Sequence, residues 1–123
     1  MTDARDLIER FNAAWAAGDL AAVAECLADD VTYSPNAWDG PARAIHGRAA
    51  VTEAFADHLG PGPVLGPVWA AGDRVVCEWQ WEPAEDGSVL HGLDLYRIHN
   101  GRIAAKDVYG KITTGPEQVL RRQ

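Results

Sequence analysis

The segment Gly60-Pro61-Gly62-Pro63 separates two hydrophobic periods, and that switch restricts the fold more than any other feature of the chain. Before it, apolar residues recur at helical spacing; after it, they alternate as strand residues do. Asp3 is placed to cap a helix running to about Ala17, with Leu7, Ile8, Phe11, Ala14 and Trp15 on one face. Gly18 stops that helix. Asp19 caps a second, with Leu20, Val23, Cys26 and Leu27 inward and Asp29-Asp30 as its end. Val31-Thr32-Tyr33 reads as a short strand, and the loop from Ser34 to Pro41 has too much proline and glycine for regular structure. Gly47-Arg48 opens a third helix with Val51, Phe55 and Leu59 inward.

The second half is β. A strand over 64–71 precedes the turn Ala71-Gly72-Asp73. Residues 74–82 then alternate, with Val75, Cys77, Trp79 and Trp81 on one face. Glu85-Asp86-Gly87 turns the chain into a long strand, Ser88–His99, and Asn100-Gly101 turns it into a last one, about Arg102–Thr113. Three helices followed by a meandering antiparallel sheet predict an α+β fold, with the helices on one face of a curved sheet. At 123 residues this is one domain, residues 1–123.

Charge and composition remove several classes of function. Eleven basic against eighteen acidic residues leave a net charge of −7, which repels nucleic acid and anionic membranes as partners. The basic residues concentrate in 101–123, where Arg121 and Arg122 read as a solvated terminus. No apolar run approaches the ~20 residues of a membrane helix. The opening Met1-Thr2-Asp3-Ala4-Arg5-Asp6 is too acidic for a secretory signal, so a cytoplasmic protein is expected. Cys26 and Cys77 then read as reduced, buried hydrophobes. No His/Cys/Asp/Glu spacing suits a metal, no serine lies in a nucleophile elbow, and no glycine-rich phosphate loop follows a strand, so no metal or cofactor is expected.

Asp94 stands out as the candidate acid/base. Its strand face reads Leu90, Gly92, Asp94, Tyr96, Ile98; the other reads Val89, His91, Leu93, Leu95, Arg97, His99. If the first face is buried, Asp94 is a desolvated carboxylate, which costs several kcal/mol unless paired or protonated. Such a group suits a general base or a neutral, hydrogen-bond-donating acid. Two turns are open at Asn100-Gly101. A two-residue type I′ turn sets Asp94 against Asp107, and a three-residue bulged loop sets it against Lys106. Trp15, Trp79 and Trp81 fall at inward positions and can wall a pocket for a planar ligand, with core packing as the plain alternative. Trp38 sits in the Pro/Gly loop, against a pocket mouth or a partner subunit. His46 is placed to line a cavity; His58, His91 and His99 are expected at the surface.

Three stretches carry a resemblance. They are Phe11-Asn12-Ala13-Ala14-Trp15-Ala16-Ala17-Gly18-Asp19-Leu20, Leu27-Ala28-Asp29-Asp30-Val31-Thr32-Tyr33, and the hairpin Gly92–Ile103 with its Asn100-Gly101-Arg102-Ile103 turn. Together they resemble the nuclear transport factor 2-like superfamily, in its SnoaL-like and ketosteroid isomerase-like branch. The resemblance implies a cone, or cystatin-like roll: a curved antiparallel sheet wrapped around the N-terminal helices, enclosing an apolar pocket, in a homodimer. It implies that Lys106 and Val108 point into the cavity, favouring the Asp94–Lys106 pair, with Asp94 resembling the oxyanion-hole acid of those isomerases. Phe11, Tyr33, Phe55 and Tyr96 join the expected ligand-lining set. The chain departs from the isomerase pattern with Pro35 at the general-base position and Phe11 at that of the oxyanion-hole tyrosine. The charged positions of limonene epoxide hydrolase-like members fall near Trp79, Trp81 and Val108. The implied activity is cofactor-independent isomerisation, aldol-type cyclisation or dehydration of a small apolar or aromatic ring compound. A non-catalytic ligand-binding or dimerisation module is the alternative.

Overall fold

The computed structural model describes residues 3–37 and 40–114. Helix α1 (Ala4–Ala16) is capped by Asp3, whose carboxylate accepts from the Arg5 backbone N–H. Helix α2 (Leu20–Glu25) is capped in the same way by Asp19. Strand β1 (Leu27–Ser34), the two-residue strand β2 (Ile45–His46) and helix α3 (Arg48–Ala56) follow, and then β3 (Val64–Ala71), β4 (Arg74–Gln80), β5 (Val89–His99) and β6 (Arg102–Thr113). The six strands form one curled sheet in the order β2-β1-β6-β5-β4-β3. Its meander is antiparallel, and β1 joins parallel to β6. The helices lie across its inner face, burying Leu7, Ile8, Phe11, Val23, Val51 and Phe55 against Val75, Cys77, Tyr96 and Ile103.

Two local expectations change. Helix α2 ends at Glu25, and Leu27 with Asp29 and Asp30 belongs to β1. Helical spacing is ambiguous over so short a run, and tertiary pairing decides it: Leu27 pairs with Ile103, whose N–H donates to the Cys26 carbonyl at 2.7 Å. The two aspartates fall where the β1–β6 register shifts, between Leu27 and Thr32, and Asp29 meets Arg48 at 2.6 Å. Strand β4 also stops at Gln80, short of residue 82.

The final hairpin combines the two turn readings. Asn100 (φ 51°) and Gly101 (φ 72°) both adopt positive φ, as a two-residue type I′ turn requires, and His99 pairs with Arg102. Two residues further on the register shifts: Ile98 pairs with Ile103 but Arg97 with Ala105, so β6 accommodates the extra residue Ala104. Asp94 therefore faces Val108, neither Asp107 nor Lys106 directly. Asp107 is sent to the outer face, where it accepts from the Tyr109 hydroxyl at 2.8 Å.

Candidate active site

With the bulge at Ala104, three rows of residues stack on the inner face, the middle one carrying the carboxylate. The first row runs Tyr33, Lys106, Tyr96, Val75 across β1, β6, β5 and β4. The second runs Val108, Asp94, Cys77, and the third Gly110, Gly92, Trp79. Lys106 thus lies diagonal to Asp94 on the same face, within reach of a long side chain. Its Nζ is 3.7 Å from Asp94 Oδ2, with only 10% and 15% of the two side chains exposed.

Asp94 is surrounded by donors. The Trp79 indole N–H donates to Oδ1 at 3.1 Å, and the Tyr96 hydroxyl donates to Oδ2 at 3.2 Å. The arrangement presents Asp94 as an acceptor, which suits a general base rather than a donating acid. Lys106 is held by rings as well as by charge: Nζ lies 5.2 Å from the Trp15 centroid, 5.4 Å from that of Tyr33 and 5.5 Å from that of Phe55. Burial raises the Tyr96 phenol well above its ordinary range, with the Asp94 charge adding to it; Tyr33 is raised by the same two causes in the same order. Both hydroxyls keep their protons at neutral pH.

This pair opens into a cavity of about 400 Å³. Phe11 and Trp15 from α1, Tyr33, Trp79, Tyr96 and Val108 from the sheet form its walls, and Trp81, 43% exposed, stands at the rim. Nine of the twelve residues singled out from the sequence for the site therefore meet at one cavity. Phe55 is fully buried one layer behind, packed edge-on against Phe11, Trp15 and Tyr33. Trp38 lies outside the described residues.

Residues that sequence reasoning passed over complete the lining. Asn12 comes in from α1, and its amide N–H donates to the Cys77 sulfur at 3.7 Å. The Gly60-Pro61-Gly62-Pro63 segment forms one wall, tied to α1 by the Gly60 N–H to the Trp15 carbonyl at 2.8 Å. His58, expected only as a surface residue, lines the cavity from its exposed position beyond α3. His46 does not: it is exposed on β2, bonded to the Thr32 hydroxyl. His91 is buried, 2.6 Å from the Thr113 hydroxyl. Among the described residues, no three His, Cys, Asp or Glu side chains converge as a metal site, and no helix is long and apolar enough to cross a membrane.

Cys77 backs the carboxylate, and burial, reinforced by the Asp94 charge, pushes its thiol up from 9.0 to about 11. Unfolding frees the thiol to ionise at its ordinary value, so this contribution to stability is complete below about pH 9 and is lost as pH rises to about 11. The loss from Cys77 is roughly 2–3 kcal/mol, with Tyr33 and Tyr96 acting in the same direction. Urea melts across that range should show a steadily falling midpoint, shallower in Cys77→Ala; equal slopes in the two proteins would overturn the assignment.

The SnoaL-like domain matches residues 8–106, a span that contains both Asp94 and Lys106. No curated protein matches the chain. Among solved structures, an NTF2-like protein of unknown function from Mesorhizobium loti is similar at 26% identity and a TM-score of 0.73, over 88% of this chain and 90% of that one. A proposed polyketide cyclase from Pseudomonas putida is 25% identical, with a TM-score of 0.64 over 89% and 92%. An epoxide hydrolase of the limonene epoxide hydrolase-like type from M. tuberculosis shares the fold at 19% identity and a TM-score of 0.69, over 88% and 82%.

Proposed function

The chain belongs to the SnoaL-like domain family of the NTF2-like superfamily, and from that premise we propose that it is a cofactor-independent acid/base enzyme acting on a small hydrophobic ring compound. The observation that carries this reading is the Asp94–Lys106 pair in the aromatic cavity. Asp94 takes a proton from carbon next to a substrate carbonyl, and the electron pair of the broken C–H bond moves onto the carbonyl oxygen. Lys106, whose ammonium has donors beyond the one directed at Asp94, stabilises that oxyanion. Returning the proton to another carbon completes an isomerisation. Attack of the enolate carbon on a second carbonyl of the same molecule gives an aldol-type cyclisation, and loss of water from that product is a dehydration. The similarity to a proposed polyketide cyclase supports the carbon-acid class.

A second reading has its own observation. Among the described residues lining the cavity, Asp94 is the one carboxylate, and Phe11 supplies no hydroxyl where the isomerases have one. A pocket so equipped can hold a ligand without turning it over. Fluorescence titration with planar phenols, steroids and terpenoid epoxides, followed by turnover assays with and without the Asp94 carboxylate, separates the two. Binding without any carboxylate-dependent turnover sinks the enzyme reading.

The sheet face turned away from the helices fits a homodimer contact. Trp69, 59% exposed, and Tyr109, 53% exposed, stand on it with half-buried Val76, Leu93 and Leu95. Sedimentation velocity at micromolar concentration should give a dimer, dissociated by Trp69→Glu; a monomeric parent protein would remove the proposal. Two free, buried cysteines are in keeping with a reducing, cytoplasmic setting.

A further inference from the structure

The centre of the sheet carries a feature that neither the core nor the proposed acid/base pair accounts for. Gly92 and Gly110 are directly paired on β5 and β6, and Gly92 is also paired with Trp79 on β4. Glycine weakens a strand interior, so two facing glycines mark a place where something must come close. At Gly110 that group is the Trp79 indole; at Gly92 it is the indole together with the β6 backbone, the Tyr109 carbonyl and the Gly110 Cα. A Cβ on Gly92 would stand 2.9 Å from Trp79 Cζ2, and one on Gly110 would stand 3.1 Å from Cη2. The indole fits against both positions because neither has a side chain, and its N–H reaches the carboxylate of the next row.

The N–H ends on Asp94 Oδ1, which has no other hydrogen-bond donor among the described residues, while Tyr96 and Lys106 both act on Oδ2. The terminal torsion of an aspartate is broad, so donors on one oxygen alone leave the carboxylate free to swing. A second donor on the other oxygen fixes its plane. We propose that Trp79, seated on the Gly92–Gly110 pair, is the positioning residue for Asp94, holding the carboxylate in one orientation toward the cavity. This rests on the reading of Asp94 as the reacting base. Trp79 also walls the cavity, but its effect on the proton transfer runs through Asp94. A tryptophan kept for volume alone would be replaceable by phenylalanine without consequence for Asp94.

The groups surrounding the carboxylate are Lys106 from β6, Tyr96 from its own strand, Cys77 from β4 and Tyr33 from β1. Beside these four, Trp79 is the group on the carboxylate that carries an indole N–H, and that makes the test direct. In the 15N–1H spectrum of the labelled protein, the indole resonance absent from Trp79→Phe identifies Trp79. That resonance should move upfield in Asp94→Asn, where a neutral amide replaces the charged acceptor, while the remaining indoles stay in place. Gly110→Ala should shift the same resonance by nudging the ring. Trp79→Phe, checked for an unchanged fold by circular dichroism, should lower turnover by about tenfold or more, the worth of one hydrogen bond to a charged group. An indole signal indifferent to Asp94→Asn overturns the positioning role, whatever the turnover assays report. Should Asp94→Asn move the indole yet leave turnover intact, the positioning contact stands and the catalytic reading fails alone.

Discussion

Asp94→Asn is expected to lower kcat by about 10²–10⁴-fold while a neutral phenol still binds, because the substitution removes the proton acceptor and little volume. The amide oxygen can still accept from Trp79 or Tyr96, so the pocket keeps its shape. What it loses is the charge opposite Lys106. That ammonium, 10% exposed, keeps its three rings at 5.2–5.5 Å but no longer has a counter-ion. Stability should fall by about 1–3 kcal/mol, the cost of leaving a buried charge-assisted interaction half made. Lys106→Met in the Asp94→Asn background should recover part of that fall, since the surplus charge goes with it. Two tests therefore separate chemistry from structure. Turnover follows the carboxylate and is not rescued by Lys106→Met, whereas melting temperature follows the pair and is. If the two substitutions add in the melt, the pair is not coupled. If turnover survives Asp94→Asn, Asp94 is not the base.

The site was legible in the sequence to the extent that alternation reports a sheet face. Parity alone groups Asp94 with Tyr96 on one face of their strand and sets Trp79 inward on its own; the family resemblance, not parity, turns Lys106 inward, and Asn100-Gly101 leaves a two-residue turn and a three-residue bulged loop both open. Register was another matter. One extra residue, Ala104, shifts β6 so that Asp94 faces Val108 and meets Lys106 on the diagonal, and no local pattern announces such a bulge in a run of Ile103-Ala104-Ala105. Asp29 and Asp30 hid the start of β1, because aspartate is depleted in strands and the parallel partner lies some seventy residues away. Asn12 was invisible for a different reason: it lies beside Phe11 on the border of the apolar stripe of α1, where a polar residue reads as solvated until the sheet is placed over it. The Pro/Gly segment read correctly as a helix breaker, yet its role as a cavity wall depends on a long-range bond to the Trp15 carbonyl. Phe55 shows the limit of periodicity in the other direction. Helical spacing marks a residue as inward but does not say whether it meets the ligand or backs the residues that do.

Gly92→Ala should be the more damaging of the two glycine substitutions under the Trp79 ring. A Cβ at this position would overlap the Tyr109 carbonyl oxygen across the β5–β6 pair, come within 2.8 Å of the Gly110 Cα and press on the Trp79 ring at 2.9 Å. Two of those three neighbours are backbone at the centre of the sheet, so relief requires β5 and β6 to move apart rather than a side chain to turn. Overpacking of this kind costs about 3 kcal/mol, equivalent to a fall of roughly 10 °C in Tm for a domain of this size. Gly110→Ala is the control. The nearest atoms to its Cβ are Trp79 ring atoms at 3.1 and 3.5 Å and the His91 carbonyl at 3.6 Å, so a small tilt of the indole absorbs it at a cost of about 1 kcal/mol. Paired melts of the two variants should differ accordingly. Adding Trp79→Phe to each decides the cause: it should relieve Gly110→Ala, where the ring is the main obstacle, and leave most of the loss in Gly92→Ala, where the backbone is. Full recovery of Gly92→Ala by Trp79→Phe would mean that the strands can part, and that the close approach of β5 and β6 serves the indole alone.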